Sequence, residues 1–284
     1  MPGCKIISLA FIFFLVIAGC KSPDKLKQLL QGYDLDKPEK FFMPESLHEI
    51  SGISFHNNKS DTIYAIQDEE GKLFRLAWNQ KKQYHTKFAR SGDYEDLAIV
   101  REKVFILKSN GSLFGFPIKD ATYVELDSVP EWKHLLPPGE YEGLYGDETT
   151  GNLYALCKNC PVDKNNETVT GYVLKTGDSI YRAESFVIDM HEIELFTGKV
   201  KSGFRPSALA KNLLTNDWYI ISAVNQMLVV TDSTWKIKEV CKLNAGKFSQ
   251  PEGIAFDSLG NLYISNEGDD FSEGNILKFV RKTK

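Results

Sequence analysis

The sequence predicts an all-β chain folded as a five-bladed β-propeller. A strand–turn–strand unit recurs five times, each recurrence brings a third strand and most bring a fourth, and the unit length is about 45 residues, the size of a propeller blade. The clearest copy is the last. Residues 250–267 read as two strands, with Ile254, Phe256, Leu262 and Ile264 alternating against small or polar neighbours around the turn Asp257-Ser-Leu-Gly260. Earlier copies run over 51–68, 95–109, 142–158 and 207–222.

Third strands follow at 72–78, 112–116, 171–174, 227–230 and 275–279. Fourth strands are expected at 84–88, 123–126, 185–188 and 237–243. The fifth unit stops before a fourth strand can form, and an open sheet edge there would be an aggregation hazard. The unused segment 39–43, just ahead of the first repeat, is the natural donor, so an N-terminal strand closes the ring. Six blades are the alternative, with room only in the long third unit. Its surplus, 161–170 and 190–203, reads instead as a polar loop and a short helical stretch.

Residues 1–19 read as a signal peptide: Lys5 gives a positive start and 6–18 is an apolar run too short to span a bilayer comfortably. Small residues Ala18 and Gly19 stand directly before Cys20, which resembles a bacterial lipoprotein signal; cleavage would leave Cys20 as the lipidated N-terminus. Residues 20–36 are expected to be a tether and 37–284 the propeller domain. The chain is then a monomer in the cell envelope, anchored by lipid on the outer membrane or a periplasmic face.

A net charge of −4 with no basic stretch gives no footprint for nucleic acid. Cys157-Lys-Asn-Cys160 stands at a strand end, where neither a redox helix start nor a second zinc pair accompanies it; a local disulfide remains open. Cys241 fits a small buried side chain. No hydrolase elbow, zinc-protease helix or phosphate loop occurs. The histidines His48, His56, His85, His134 and His191 are scattered.

In a propeller the first strand of each blade lines the channel, and its start meets the end of the second strand at one mouth. Equivalent positions hold Ser51, Glu95, Glu142, Ser207 and Glu252, followed by mostly small residues as a crowded axis demands. Second strands end nearby at Asp68, Ser109, Lys158, Asn225 and Glu267. Converging carboxylates raise one another's pKa unless a cation intervenes, and an oxygen cage of this kind suits Ca2+. Equally open is a structural role, each Glu accepting backbone amides of the next blade.

The chain resembles the SdiA-regulated family of bacterial envelope propellers, itself distantly similar to NHL-repeat proteins. The motifs are Glu49-Ile-Ser-Gly-Ile53, Gly92-Asp-Tyr-Glu-Asp-Leu97, Tyr141-Glu-Gly-Leu144 and Gln250-Pro-Glu-Gly-Ile-Ala-Phe-Asp257, with Gly260-Asn-Leu-Tyr-Ile264. The resemblance implies five blades, a calcium site in the channel and no established activity. It carries over Glu95, Glu142 and Glu252 as metal ligands, with Asp68 and Glu267 as weaker candidates; the second repeat has Ser109 and Asn110 where an acid would be expected. Two functions follow as expectations: a non-catalytic binding or scaffold lipoprotein engaging a ligand or protein at the channel mouth, or a calcium-dependent hydrolase of a lactone or phosphoester, of gluconolactonase or phytase type.

Overall fold

The computed structural model describes residues 29–80, 82–163, 167–198, 200 and 203–282. The segment expected to be a signal peptide, and Cys20, lie outside the described residues. Five four-stranded antiparallel sheets carry the architecture. The first blade is β4 (Ile50–Ser54), β5 (Ile63–Gln67), β6 (Lys72–Leu76) and β7 (Gln83–Lys87). The second is β8 (Tyr94–Val100), β9 (Lys103–Lys108), β10 (Leu113–Pro117) and β11 (Glu131–Trp132). The third is β12 (Glu140–Asp147), β13 (Asn152–Asn159), β14 (Thr168–Lys175) and β15 (Tyr181–Asp189). The fourth is β16 (Ala208–Asn212), β17 (Asp217–Ser222), β18 (Met227–Thr231) and β19 (Ile237–Lys242).

The fifth blade is β20 (Pro251–Phe256), β21 (Leu262–Asn266) and β22 (Asn275–Phe279), completed by β3 (Glu39–Phe42) from the other end of the chain. Asn275 faces Phe42 and Lys278 faces Glu39 in an antiparallel register, so the expected closing strand is in place. The chain is therefore an all-β, five-bladed β-propeller.

Alternate side chains of an inner strand enter opposite blade junctions, as in β9, where Val104 and Ile106 face blade one and Phe105 and Leu107 face blade three. The core is accordingly a ring of clusters, one at each blade junction. Phe41, Phe55 and Phe74 pack with Tyr263 between blades five and one, while Leu156, Trp218 and Phe204 pack between three and four. Segments outside the sheets plug the perimeter grooves. Helix α1 (Met190–Thr197) starts at Asp189, whose side chain accepts the His191 amide at 2.8 Å, and it inserts Met190 and Ile193 between blades three and four.

Three expectations need correction. The segment 123–126 is not the fourth strand of blade two; that place is held by β11, which pairs with β10. Instead Val124 and Leu126 bond the backbone of Lys87, and Thr86 Oγ1 donates to the carbonyls of Ala121 and Tyr123. The free outer edge of blade one thus captures the segment before blade two can. The polar loop expected over 161–170 is shorter, because β14 already begins at Thr168 and extends the pairing with the outer strand β15. Finally, the second half of the tether expected over 20–36 is folded. β1 (Leu29–Leu30) and β2 (Tyr33–Asp34) form a hairpin, and Leu30, Tyr33 and Leu35 are buried between blades four and five. Tyr33 Oη donates to the Gly260 carbonyl at 2.6 Å and accepts from Asn212 Nδ2 at 2.9 Å.

Adjacent side chains of β3 have unequal weight, since Phe41 is 7% exposed and Phe42 61%. Phe41→Ala is expected to cost about 3–5 kcal/mol of unfolding free energy in a denaturant titration, and Phe42→Ala about 0.5 kcal/mol or less.

Candidate functional site

Four first strands share one irregularity, at Ser51 in blade one, where Ile50 faces Gln67 and Ile53 faces Ala65, and at a glutamate in the other three. In blade two Tyr94 faces Lys108 and Asp96 faces Leu107, leaving Glu95 without a partner. In blade three Tyr141 faces Cys157 and Gly143 faces Leu156, leaving Glu142; in blade five Pro251 faces Asn266 and Gly253 faces Ser265, leaving Glu252. Each repeated glutamate is thus the extra residue of a β-bulge, which bends the strand and re-aims a side chain that plain alternation would place elsewhere. The preceding residue fixes the bend in two blades. Buried Tyr94 donates its hydroxyl to the Arg90 carbonyl at 2.7 Å, and Tyr141 donates to the Pro137 carbonyl at 2.8 Å.

Small residues beside the bulges let the blades close on the axis. A Cβ at Gly52 would stand 2.7 Å from the Asp96 Cα, and one at Gly253 would stand 2.5 Å from the Ser51 carbonyl oxygen. Ser265 Oγ donates to that same carbonyl at 2.8 Å and ties blade five to blade one. Below the mouth, aliphatic residues from all five first strands leave a channel cavity of only about 40 Å³. The larger cavities, about 740, 450 and 370 Å³, are lined by other parts of the ring, around Tyr33 and Arg281, around Trp218 and Trp235, and around Phe42 and Trp78.

The five predicted carboxylates form a chain of electrostatic neighbours: Glu95 with Glu142, Glu142 with Glu252, and Glu267 with Glu252, Glu142 and Asp68. Burial raises the pKa of Glu252 to about 7, with the charge of Glu142 adding to it. Burial raises Glu267 to about 8, helped by Glu252, Asp68, Glu49 and Glu142. Asp68 is raised by burial and by Glu49, and its Oδ1 is buried without a hydrogen-bond partner. Burial raises both Glu95 and Glu142; the charges of Glu142 and Asp93 add to the shift of Glu95, whereas the hydrogen bond and charge of Lys158 offset that of Glu142. Glu49 and Asp93 join the same field, although the sequence singled out neither.

Lys158 from the end of β13 is the one cation hydrogen-bonded in this field among the described residues. Its Nζ lies 2.6 Å from Glu142 Oε1 and 4.0 Å from Glu140 Oε1. Burial opposes the lysine's charge, but the hydrogen bond and charge of Glu142 outweigh it and raise its pKa. Beside Lys158 a local disulfide, left open by the sequence, joins Cys157 to Cys160; Cys241 is free and buried. Cys157, Cys160 and Asp163 form the one trio of potential ligands within 4.8 Å among the described residues, and the bridge takes both sulfurs out of metal chemistry.

The amide-accepting role expected of the glutamates belongs to their neighbour in blade two. Buried Asp96 accepts the Leu97 amide at 2.8 Å and, across the blade junction, the Leu144 amide at 2.7 Å. That leaves the bulged glutamates free of backbone duty. The donor set suits a cation such as calcium in its chemistry, with hard oxygens, charge only partly balanced by Lys158 and an orphaned carboxylate oxygen on Asp68, although no three of these carboxylates bring their oxygens within 4.8 Å of one another among the described residues. His48 is set apart, its ring packed beside Gly268.

Fold and site together define a five-bladed β-propeller with an acidic channel mouth. Residues 198–273 match the sequence profile of the family described as SdiA-regulated, a span that holds the last two of the motifs carrying the resemblance. No curated protein is significantly similar in sequence. Among solved structures, glutaminyl cyclase from Myxococcus xanthus superposes with a TM-score of 0.58 at 14% identity, over 86% of this chain and 96% of that one. Virginiamycin B lyase from Staphylococcus aureus, in a catalytically inactive form with quinupristin, gives 0.45 at 13% identity, over 84% and 69%. The WD40 propeller of Doa1 gives 0.46 at 11%, over 89% and 99%. At these identities the likeness concerns the fold alone.

Two outcomes are expected. Asp96→Ala leaves two buried amides without an acceptor and should cost about 3 kcal/mol in urea unfolding, with Asp96→Asn milder because one acceptor oxygen remains. Second, the folded pKa values of Glu252 and Glu267 lie above the ordinary 4.5, so between pH 4.5 and about 8 the folded state binds more protons than the unfolded. Without divalent ions, stability should therefore fall as pH rises through that window, and Glu252→Gln with Glu267→Gln should flatten the slope.

Proposed function

We propose that this chain is a lipid-anchored cell-envelope propeller acting as a binding module, with a calcium ion held at the acidic mouth. The observation that supports the proposal is the shared electrostatic field of Glu95, Glu142 and Glu252, each the extra residue of an equivalent bulge, with Glu267 and Asp68 from neighbouring strand ends. Glu252, Glu267 and Asp68 would contribute most, because Glu142 is already engaged by Lys158. The ion would supply charge balance, allowing all of these groups to ionise at neutral pH. Around it, the loops joining second to third strands, such as 68–71 and 267–274, offer a rigidly framed surface for a ligand or protein.

Membrane attachment rests on the lipoprotein-like run ending at Cys20. Mass analysis of the membrane-extracted protein should show acyl chains on Cys20, and Cys20→Ser should release the protein into the soluble fraction.

Calorimetric titration tests the cation site. Calcium is expected to bind at one site and magnesium more weakly, since magnesium demands a tighter octahedral cage. At 100 times the Kd, calcium should add about 2.7 kcal/mol to unfolding stability. Glu252→Gln should weaken binding at least tenfold; unchanged binding would remove the mouth as the site. A panel of lactones and phosphoesters, with and without chelator, checks the hydrolase alternative, which chelator-sensitive turnover would establish.

A further inference from the structure

The mouth already holds a cation that belongs to the chain. Lys158 is the only charged residue inside the four-residue loop closed by the Cys157–Cys160 bridge. A lysine at an ordinary strand end is free to sample many rotamers, and exposed ion pairs of this kind contribute little. Here the end of the strand is fixed. Cys157 is fully buried and Cys160 is 6% exposed, the Cys160 sulfur fills the space left by the missing side chain of Gly139, and the Cys160 carbonyl accepts the Asp163 amide at 3.0 Å. The ammonium is delivered to Glu142, whose side chain is 6% exposed, at 2.6 Å, with Glu140 at 4.0 Å on the other side.

We propose that Lys158, held in place by the Cys157–Cys160 bridge, is a built-in competitor for the channel cation, and that opening the bridge raises the site's affinity for a divalent ion. The proposal rests on the cation-binding function above and adds its control. With the ammonium on Glu142, an incoming ion finds one carboxylate fewer and meets a fixed like charge inside a poorly solvated site. Opening requires a dithiol reductant. One of its thiolates attacks a bridge sulfur to give a mixed disulfide, and the second displaces it. Two electrons and two protons pass to the protein, leaving thiols on Cys157 and Cys160 and an oxidised cyclic disulfide. The loop is then no longer tied, and Lys158 can swing away from Glu142.

Calcium is the suitable probe, because a hard cation has little affinity for the newly freed sulfurs. Calorimetric calcium titrations would compare oxidised protein, protein reduced with dithiothreitol, the Cys157→Ser/Cys160→Ser double variant, Lys158→Gln and Lys158→Arg, with thermal melts confirming that each is folded. Lys158→Gln is expected to bind about tenfold tighter or more, Lys158→Arg to stay near the oxidised protein, and the two bridge-opened forms to shift toward Lys158→Gln. If the oxidised protein binds calcium and Lys158→Gln binds it no more tightly, the competitor role is overturned while the cation site stands. A tight Lys158→Gln with no response to bridge opening overturns the control by the bridge. Absence of calcium binding in every form overturns both the control and the site. Should Lys158→Gln not fold, the reduced wild type against the oxidised one decides.

Discussion

Closure of the ring is the constraint on which the remaining structure depends. The pairing of β3 with β22 joins the two ends of the chain in one sheet and removes the free edge that blade five would otherwise present. Once the ring is closed, every first strand must approach a common axis, and side chains separated by more than a hundred residues become neighbours. Glycine at positions 52, 143 and 253 is a consequence of that crowding, since a methyl group there would press on the backbone or side chains of the adjacent blade. Asp96 is the exception in the column, and it bonds the two blades it touches.

Crowding also creates the electrostatic character of the mouth. Bulges lift Glu95, Glu142 and Glu252 out of the strand alternation and bring them together above a nearly filled channel. The fold thereby holds like charges at close quarters against their repulsion, a cost that structures accept where a counter-ion or ligand offsets it. One such counter-ion is internal, in Lys158. The side of the mouth formed by Glu252, Glu267 and Asp68 has no hydrogen-bonded lysine or arginine among the described residues, which is the asymmetry behind the calcium assignment.

Much of this was legible in the residues. Five repeats, their unit length, the closing strand and the column of glutamates all follow from apolar alternation and turn chemistry, which are local signals. The errors fell where a choice depends on competition between surfaces. Residues 123–126 alternate like a strand and do bond as one, yet to the outer edge of the neighbouring blade rather than to their own. Residues 29–35 look like polar tether because three apolar side chains, Leu30, Tyr33 and Leu35, carry the whole packing interaction with a groove that no local pattern announces.

The sequence by itself determined the blade count, through the number of repeats, together with the order of strands and the repeated glutamates, which are encoded within each repeat. Only the tertiary structure decided what those acids encounter: that the glutamates sit on bulges, that Asp96 takes the interblade amides, and that Lys158 reaches Glu142 from a disulfide-tied strand end. Those facts depend on register and on distances across the axis. A single repeat, which cannot close on itself, carries no information about either.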